Sequence, residues 1–328
     1  MKYRKLGKSD IVVSEIGFGA WGIGGSSGGH IAYGSTDDNE SCLALRLAYD
    51  LGITFYDTSD FYGHGHSETL IGKTFKDARD KIVIATKVGL IKGDGTTDFS
   101  LAHIKSSLEK SLRRLQTDYI DVYQLHNPPI HDMEKNGEIM ITFQELIKQG
   151  KVRLLGISTR SPDDALKAVK KLGFKVVQVN FNLVDQRVLL NGLFDYCESQ
   201  GIGIISRTPL CFGFLTGNYS KDSHFDTHDH RRYFSDDQLE LWEQAISLFR
   251  KDVPAHDEMN NAHFALRFCL SHPAISSVIP GMLNRKEVKE NVASSEFGPL
   301  PGKILAIIKK VYSKTSFVLD TSRFQNRL

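Results

Sequence analysis

Ile82-Val83-Ile84-Ala85-Thr86-Lys87 is a short apolar run that ends in a cation. Residues 100–115 follow, with Leu101, Leu108, Leu112 and Leu115 near helical spacing. Tyr119-Ile120-Asp121-Val122-Tyr123-Gln124-Leu125 is a second apolar run, and it leads into His126. A strand covered on both faces needs such a nearly continuous run. A helix that covers it needs one apolar stripe. Residues 82–126 therefore predict a strand–helix–strand unit of a parallel sheet.

The same alternation extends outward in both directions. Runs at Ile16–Ala20, Ile53–Asp57, Val152–Ile157, Val176–Asn180, Gly203–Arg207 and Ile275–Pro280 bring the predicted strands to eight. Helices are predicted between them at Asp38–Gly52, from Ser161-Pro162 onward, at Asn260–Ser271 and at Arg285–Ala293. Ser161 supplies an N-cap and Pro162 the first helical position. Eight strands alternating with helices in 328 residues favour an α/β fold, a (β/α)₈ barrel, over a doubly wound sheet. Tyr3–Ser14 predicts an N-terminal hairpin around Gly7-Lys8-Ser9-Asp10, and Lys303–Tyr312 a C-terminal helix. No linker composition divides the chain, so one domain is expected over 1–328, with 316–328 a polar tail.

Composition bounds the function. Lysine plus arginine is 41 and aspartate plus glutamate 39, a net charge of +2 that argues against nucleic-acid binding driven by bulk charge. No run approaches the ~18 apolar residues of a membrane span. The polar Met1–Asp10 start lacks a signal-peptide core. Cys42, Cys197, Cys211 and Cys269 are widely spaced free thiols, and the expected location is the cytoplasm.

Some motifs are weaker than they look. Gly17-Phe18-Gly19-Ala20-Trp21-Gly22 matches GxGxxG, but the dinucleotide motif needs a helix to start inside it, and residues 23–29 are glycine-rich. It is read instead as a loop over a barrel mouth, where small residues let a ligand approach the backbone. Gly72-Lys73-Thr74 ends like a phosphate loop, yet Ser67 stands where its first glycine belongs. His224, His228 and His230, with Asp226 and Asp229, admit a metal-site reading; a solvated polar loop is the better one, as for His64 and His66. No metal is assigned.

Catalytic groups of a barrel sit at the C-terminal ends of its strands. Here those ends carry Asp57, Lys87, His126, Ser158 with Thr159, Gln178, Arg207 and Pro280-Gly281. An apolar core has no use for Asp57, Lys87 and His126 there; an Asp57–Lys87 salt bridge of purely structural purpose would not explain His126 or Gln178. Tyr62 follows Asp57 by five residues and can fold over the same mouth. A lysine beside a phenol favours the phenolate and lowers its pKa, and Asp57 would hold Lys87 charged, so Tyr62 is the candidate proton donor.

On these residues the chain resembles the aldo-keto reductases of bacterial type. The resemblance runs from Tyr3-Arg4-Lys5-Leu6-Gly7 to Glu290-Asn291 and rests on several short signatures in order. These are Asp57-Thr58 through Tyr62-Gly63 with Ser67-Glu68, Thr86-Lys87, Leu125-His126, Gly156-Ile157-Ser158 and Val278-Ile279-Pro280-Gly281. It implies reduction of an aldehyde or ketone, a sugar-type carbonyl among the candidates, with hydride from a nicotinamide. Tyr62 would be the acid, Lys87 and Asp57 would tune it, and His126 would orient the carbonyl, with Trp21, Phe61 and Phe212 as further candidates for the substrate wall.

The implied cofactor is NADP(H), favoured over NAD(H). Its contacts would be Ala20, Trp21, Asp57, Ser158, Thr159, Gln178, Ser206, Arg207, Pro209, Leu210, Gly213, Leu215, Gly281, Arg285, Glu287 and Asn291. Thr159 replaces the family's usual asparagine, and Arg207 stands where many relatives stack an aromatic ring. Arg285 and Lys286 are the candidate cations for a 2′-phosphate. Gly217, Phe225, Asp229 and Arg231 resemble the family's loop over the pyrophosphate. Two alternatives remain at this level: a cofactor-binding regulatory subunit of the same fold, and a barrel aldolase or isomerase with a Schiff base at Lys87.

Overall fold

A computed structural model describes residues 1–26, 31–135, 137–253 and 259–319 of the chain. Part of the glycine-rich loop after Ile23, at 27–30, and most of the predicted tail, at 320–328, lie outside the described residues. Two short strands, β1 (Tyr3–Lys5) and β2 (Val12–Ser14), form the expected antiparallel hairpin. Eight parallel strands follow: β3 (Phe18–Gly19), β4 (Phe55–Asp57), β5 (Val83–Val88), β6 (Ile120–His126), β7 (Val152–Ser158), β8 (Val176–Asn180), β9 (Gly203–Arg207) and β10 (Ile275–Ile279). Each pairs with its sequence neighbour. The ring is completed between the first and last by Gly17 N–H donating to Val278 O at 2.8 Å and Gly19 N–H to Pro280 O at 3.0 Å. The result is a nearly closed barrel.

The first strand is shorter than its apolar run predicts, and the reason is the glycines. A Cβ on Gly17 would lie 2.7 Å from the Phe55 ring, and one on Gly19 2.8 Å from Pro280 O. These glycines admit the closing strand; they do not open a helix. Only a single 3-10 turn, Gly22–Gly24, follows, and the next α-helix begins at Asp38, capped by the Asp37 carboxylate on Asn39 and Glu40 N–H. This disposes of the dinucleotide-loop reading and corrects the expectation that ligand approach is what requires small residues at 17 and 19.

The described helices are α1 (Asp38–Asp50), α2 (His66–Phe75), α3 (Leu101–Leu115), α4 (Ile130–Lys135), α5 (Glu138–Lys148), α6 (Pro162–Lys167), α7 (Arg187–Leu190), α8 (Leu193–Gln200), α9 (Asp236–Arg250), α10 (Asn261–Leu270), α11 (Arg285–Phe297) and α12 (Gly302–Tyr312). Ser161 caps α6 as expected, and Ser100 before α3 and Asn260 before α10 cap in the same way. The stripe of α3 buries Ile104, Leu108, Leu112 and Leu115, each contributing about 1.5–3 kcal/mol.

Two apolar cores result. The larger lies between sheet and helices. The smaller fills the barrel, where Phe55, Val83, Ala85, Val122, Val176 and Ile205 meet Leu6, Ile11 and Val13 of the hairpin. The hairpin thus plugs the N-terminal end and leaves the C-terminal rim as the open mouth. No described helix is long and apolar enough to cross a membrane.

Candidate active site

Parallel register brings the strand ends to one level: Lys87 lies beside Gln124, and His126 beside Ser158, which faces Gln178. Inside the mouth Lys87 is fully buried. Its ammonium donates to Asp57 Oδ1 at 2.5 Å, Thr58 O at 2.8 Å and Tyr62 Oη at 3.1 Å. Asp57 Oδ2 accepts from Gln178 Nε2 at 2.6 Å and Gln124 Nε2 at 3.2 Å. The expected Asp57, Lys87 and Tyr62 are therefore joined, with the His126 ring 6.0 Å from that of Tyr62 and with Gln124 as a partner that the sequence reading missed.

Tyr62 reaches the mouth from a tight turn, Tyr62–Gly65, in which Gly63 and His64 adopt positive φ of 59° and 50°. Burial raises the Tyr62 pKa, and the Lys87 ammonium offsets only part of that. The net upward direction corrects the expectation that lysine would bring the phenol below its ordinary value. Burial also depresses Lys87, but Asp57 and Tyr62 outweigh it and the ammonium is held charged. His126 is driven well below its usual pKa by burial and by Lys87, Arg207 and Arg160, so its ring is neutral. Its Nδ1 lies 3.2 Å from Ser59 Oγ, which in turn lies 3.3 Å from Asp60 Oδ1. Burial, with Glu68 nearby, pushes the Asp60 carboxyl up to about 7.

Arg207 is held as a flat plate. Its Nε donates to Asn180 Oδ1 at 2.8 Å and its Nη1 to Ser158 Oγ at 3.2 Å. Ser158 donates in turn to Gln178 Oε1 at 3.3 Å, so one hydrogen-bonded chain links Tyr62, Lys87, Asp57, Gln178, Ser158 and Arg207.

The mouth opens into a cavity of about 670 Å³, within the ~300–1,000 Å³ of small-molecule sites. Its wall includes Asp57, Tyr62, His126 and Gln178 of the mouth, Gly281, Glu287 and Asn291 after β10, and Ala20, Trp21, Arg207, Pro209, Leu210 and Gly213. Trp21 stacks 6.1 Å from Tyr62, and Phe61 and Phe212 also face the cavity. Other expected contacts sit elsewhere. Ser206 is buried on Phe181 O at 2.9 Å, Leu215 is buried in the core, and Thr159 is buried on Ser161 O at 3.2 Å. Arg285 lies at the exposed start of α11, ion-paired to Glu40 at 3.0 Å. Glu287 accepts from Leu283 N–H at 2.8 Å and from the Asn284 amide at 3.0 Å.

The solvated-loop reading of the histidines needs correction. His224 is exposed and His228 rests on Thr227, but Asp229, His230 and Arg231 are buried. Arg231 grips Asp229 at 2.6 Å and lies against the rings of Tyr219 and Phe225, tying this loop over the cavity. Ala32 and Tyr33 pair with it from the opposite side. His66 pairs with Asp38 at 2.8 Å, away from the cavity wall. No three His, Cys, Asp or Glu side chains among the described residues converge as a metal site. Arg160 and Asn180 are wall residues that the sequence reading missed. Their signal was positional: Asn180 ends its strand, and Arg160 follows Ser158-Thr159 directly.

Against known proteins, the model of the Aldo/keto reductase family matches residues 15–313. The uncharacterized oxidoreductase YqkF of Bacillus subtilis (strain 168) is 32% identical, covering 90% of this chain and 91% of that protein. The aldo-keto reductase YhdN of the same organism is 31% identical, covering 91% and 97%. Among solved structures, the holo form of aldo-keto reductase AKR11C1 from Bacillus halodurans superposes with a TM-score of 0.77 at 30% identity, covering 98% of this chain and 99% of that one.

Proposed function

Because the chain belongs to the aldo/keto reductase family, we propose that it reduces an aldehyde or ketone, a sugar-type carbonyl among the candidates, to the alcohol with NADP(H). The observation that carries the reading is the Lys87 ammonium joined at once to Asp57 and to Tyr62 Oη, at 3.1 Å from the latter. An ammonium can only donate, so Tyr62 Oη accepts from it. The phenol's own proton is therefore directed to another acceptor, a substrate carbonyl in the cavity. Burial keeps Tyr62 protonated until then. Lys87 stabilises the phenolate as the proton leaves. Neutral His126, with Nδ1 on Ser59, has Nε2 for hydrogen bonding the same carbonyl oxygen and orienting it.

The cavity wall fits a dinucleotide. Where a Cβ on Gly281 would point, the nearest atom is Tyr33 Cε2 at 4.0 Å, and Arg207 offers a half-buried plane for stacking. Arg207 and Gln178, with Ser158 behind them, would hold the nicotinamide end. Trp21, Pro209, Leu210 and Gly213 would flank the middle, and Asn291 with Glu287 the adenosine end. When bound, the nicotinamide supplies the hydride. For the 2′-phosphate, Arg285 would exchange Glu40 for the phosphate, assisted by Lys286. A Schiff base at Lys87 is disfavoured, because that chemistry needs a neutral amine and Asp57 holds the lysine charged.

The test is Tyr62→Phe. Reduction should fall by about 10²–10⁴, while NADPH binding, followed by tryptophan quenching, stays near wild type. Retained turnover would remove Tyr62 as the acid.

A further inference from the structure

Ser59 lies between His126 and Asp60 and is fully buried. Its Oγ is 3.2 Å from His126 Nδ1 and 3.3 Å from Asp60 Oδ1, and it accepts from Phe61 N–H at 3.1 Å. A hydroxyl has one proton and two lone pairs. Phe61 N–H occupies one lone pair, so one proton and one lone pair remain for two neighbours. If Ser59 donates to Asp60, it accepts from Nδ1. If it donates to Nδ1, it accepts from Asp60. A neutral imidazole carries one proton, so the first arrangement leaves Nε2 an acceptor and the second makes it a donor. An ionised carboxylate can only accept, which fixes the first arrangement; a protonated one can donate, which allows the second.

We propose that Asp60, acting through Ser59, decides which ring nitrogen of His126 carries the proton, and so whether the site offers a carbonyl oxygen a donor or a lone pair. This deepens the carbonyl-reductase reading and rests on it for its catalytic consequence. Asp60 is a positioning residue: His126 stands in the cavity wall, and Asp60 reaches it only by way of Ser59. The charged groups around Asp60 come from neighbouring elements. Glu68 of α2 raises its pKa and Arg114 of α3 lowers it, but Arg114 is already paired with Glu68 at 2.6 Å. Lys87 of β5 meets it through the main chain, its carbonyl accepting Asp60 N–H at 3.3 Å. Tyr123 of β6, also nearby, is held well above its usual pKa and is neutral. Around His126 stand Lys87, Arg207 and Arg160, cations that keep its ring neutral. With the Asp60 carboxyl brought up to about 7, the exchange falls near neutral pH. Tyr62 and Lys87 lie above their usual values and His126 well below its own, so none of the three titrates between pH 6 and pH 8.5.

NMR of protein carrying nitrogen-labelled histidine, with His126→Asn to identify the signals, reads the tautomer without a substrate. In wild type the His126 proton should sit on Nε2 at pH 6 and on Nδ1 at pH 8.5. Asp60→Asn removes the titrating group and Ser59→Ala cuts the link, so in each the tautomer should be the same at both pH values. Thermal melts check that both variants fold, and the wild-type tautomer alone decides if one does not. One tautomer throughout in wild type, or the wild-type exchange in either variant, would overturn the proposal. Single-turnover reduction of glyceraldehyde, butanal and 4-nitrobenzaldehyde with saturating NADPH reads the consequence. The wild-type rate should fall by about 10- to 100-fold from pH 6 to pH 8.5, as the donor to the carbonyl oxygen is lost. Both variants should lose that fall, whatever their absolute rates; a fall retained in either would overturn the proposal. If wild type reduced none of the three carbonyls, the reductase reading would fail, and the tautomer measurement would still decide the role of Asp60.

Discussion

Lys87→Met separates the structural role of the buried ion pair from its chemical one. Asp57 and Lys87 are almost wholly inside the protein, with side chains 3% and 0% exposed. Removing the ammonium leaves Asp57 with Gln124 and Gln178 alone, two neutral donors for a buried anion. Breaking one side of a buried pair costs about 3–5 kcal/mol, because the remaining charge keeps its desolvation penalty. The double variant Asp57→Asn/Lys87→Met removes both charges, and Asn can still accept from either glutamine. It should regain all but about 1–2 kcal/mol of the wild-type stability. Urea unfolding at pH 7.5, read by fluorescence of buried Trp242, gives the three values. Both variants should lack reductase activity, since each removes the cation beside Tyr62. If Lys87→Met cost under about 1 kcal/mol, or if the double variant were no more stable than the single one, Asp57 would not depend on Lys87 as argued.

Two further outcomes follow from the same coordinates. With the His230 pKa lowered from 6.5 to about 4, the unfolded state binds a proton first as pH falls, so this histidine erodes stability below about pH 6.5 and does so fully below about 4. His230→Phe should therefore gain about 2 kcal/mol on wild type between pH 7.5 and pH 5; urea titrations at both pH values measure it, and a constant difference would contradict a neutral buried ring. Arg285→Ala should weaken NADPH about 5- to 50-fold while changing NADH little, and equal losses in the two calorimetric titrations would remove Arg285 from phosphate recognition.

The barrel was legible because burial on both faces leaves a local mark. β5 and β6 are buried along their whole length, so their runs are continuous in sequence. A polar residue at the end of such a run is conspicuous, and Asp57, Lys87 and His126 were found for that reason. Element boundaries were less legible. β3 shrinks to Phe18–Gly19 because its geometry is set by contact with Phe55 and Pro280, residues far along the chain. The same distance effect misled the reading of the Tyr62 pKa. The sequence shows that a lysine is near, while the extent of burial, which prevails, emerges only when the mouth is assembled.

Loops lack that mark. The segment 224–232 is polar apart from Phe225, and nothing local distinguishes exposed His224 from buried His230. What buries His230 is a bridge to Ala32 and Tyr33, some two hundred residues earlier, and a clamp in which Arg231 holds Asp229 against Tyr219 and Phe225. The clue was the Asp-x-Arg spacing beside aromatics: an ion pair pinned under rings fixes its neighbours, so the residue between Asp229 and Arg231 is held in one orientation too. That residue, His230, is fully buried, and its Nε2 has no hydrogen-bond partner among the described residues. Asp57, Lys87 and His126 come from strands and Tyr62 from the turn after β4. Groups such as His230 are delivered by loops through contacts far along the chain, which strand periodicity does not register.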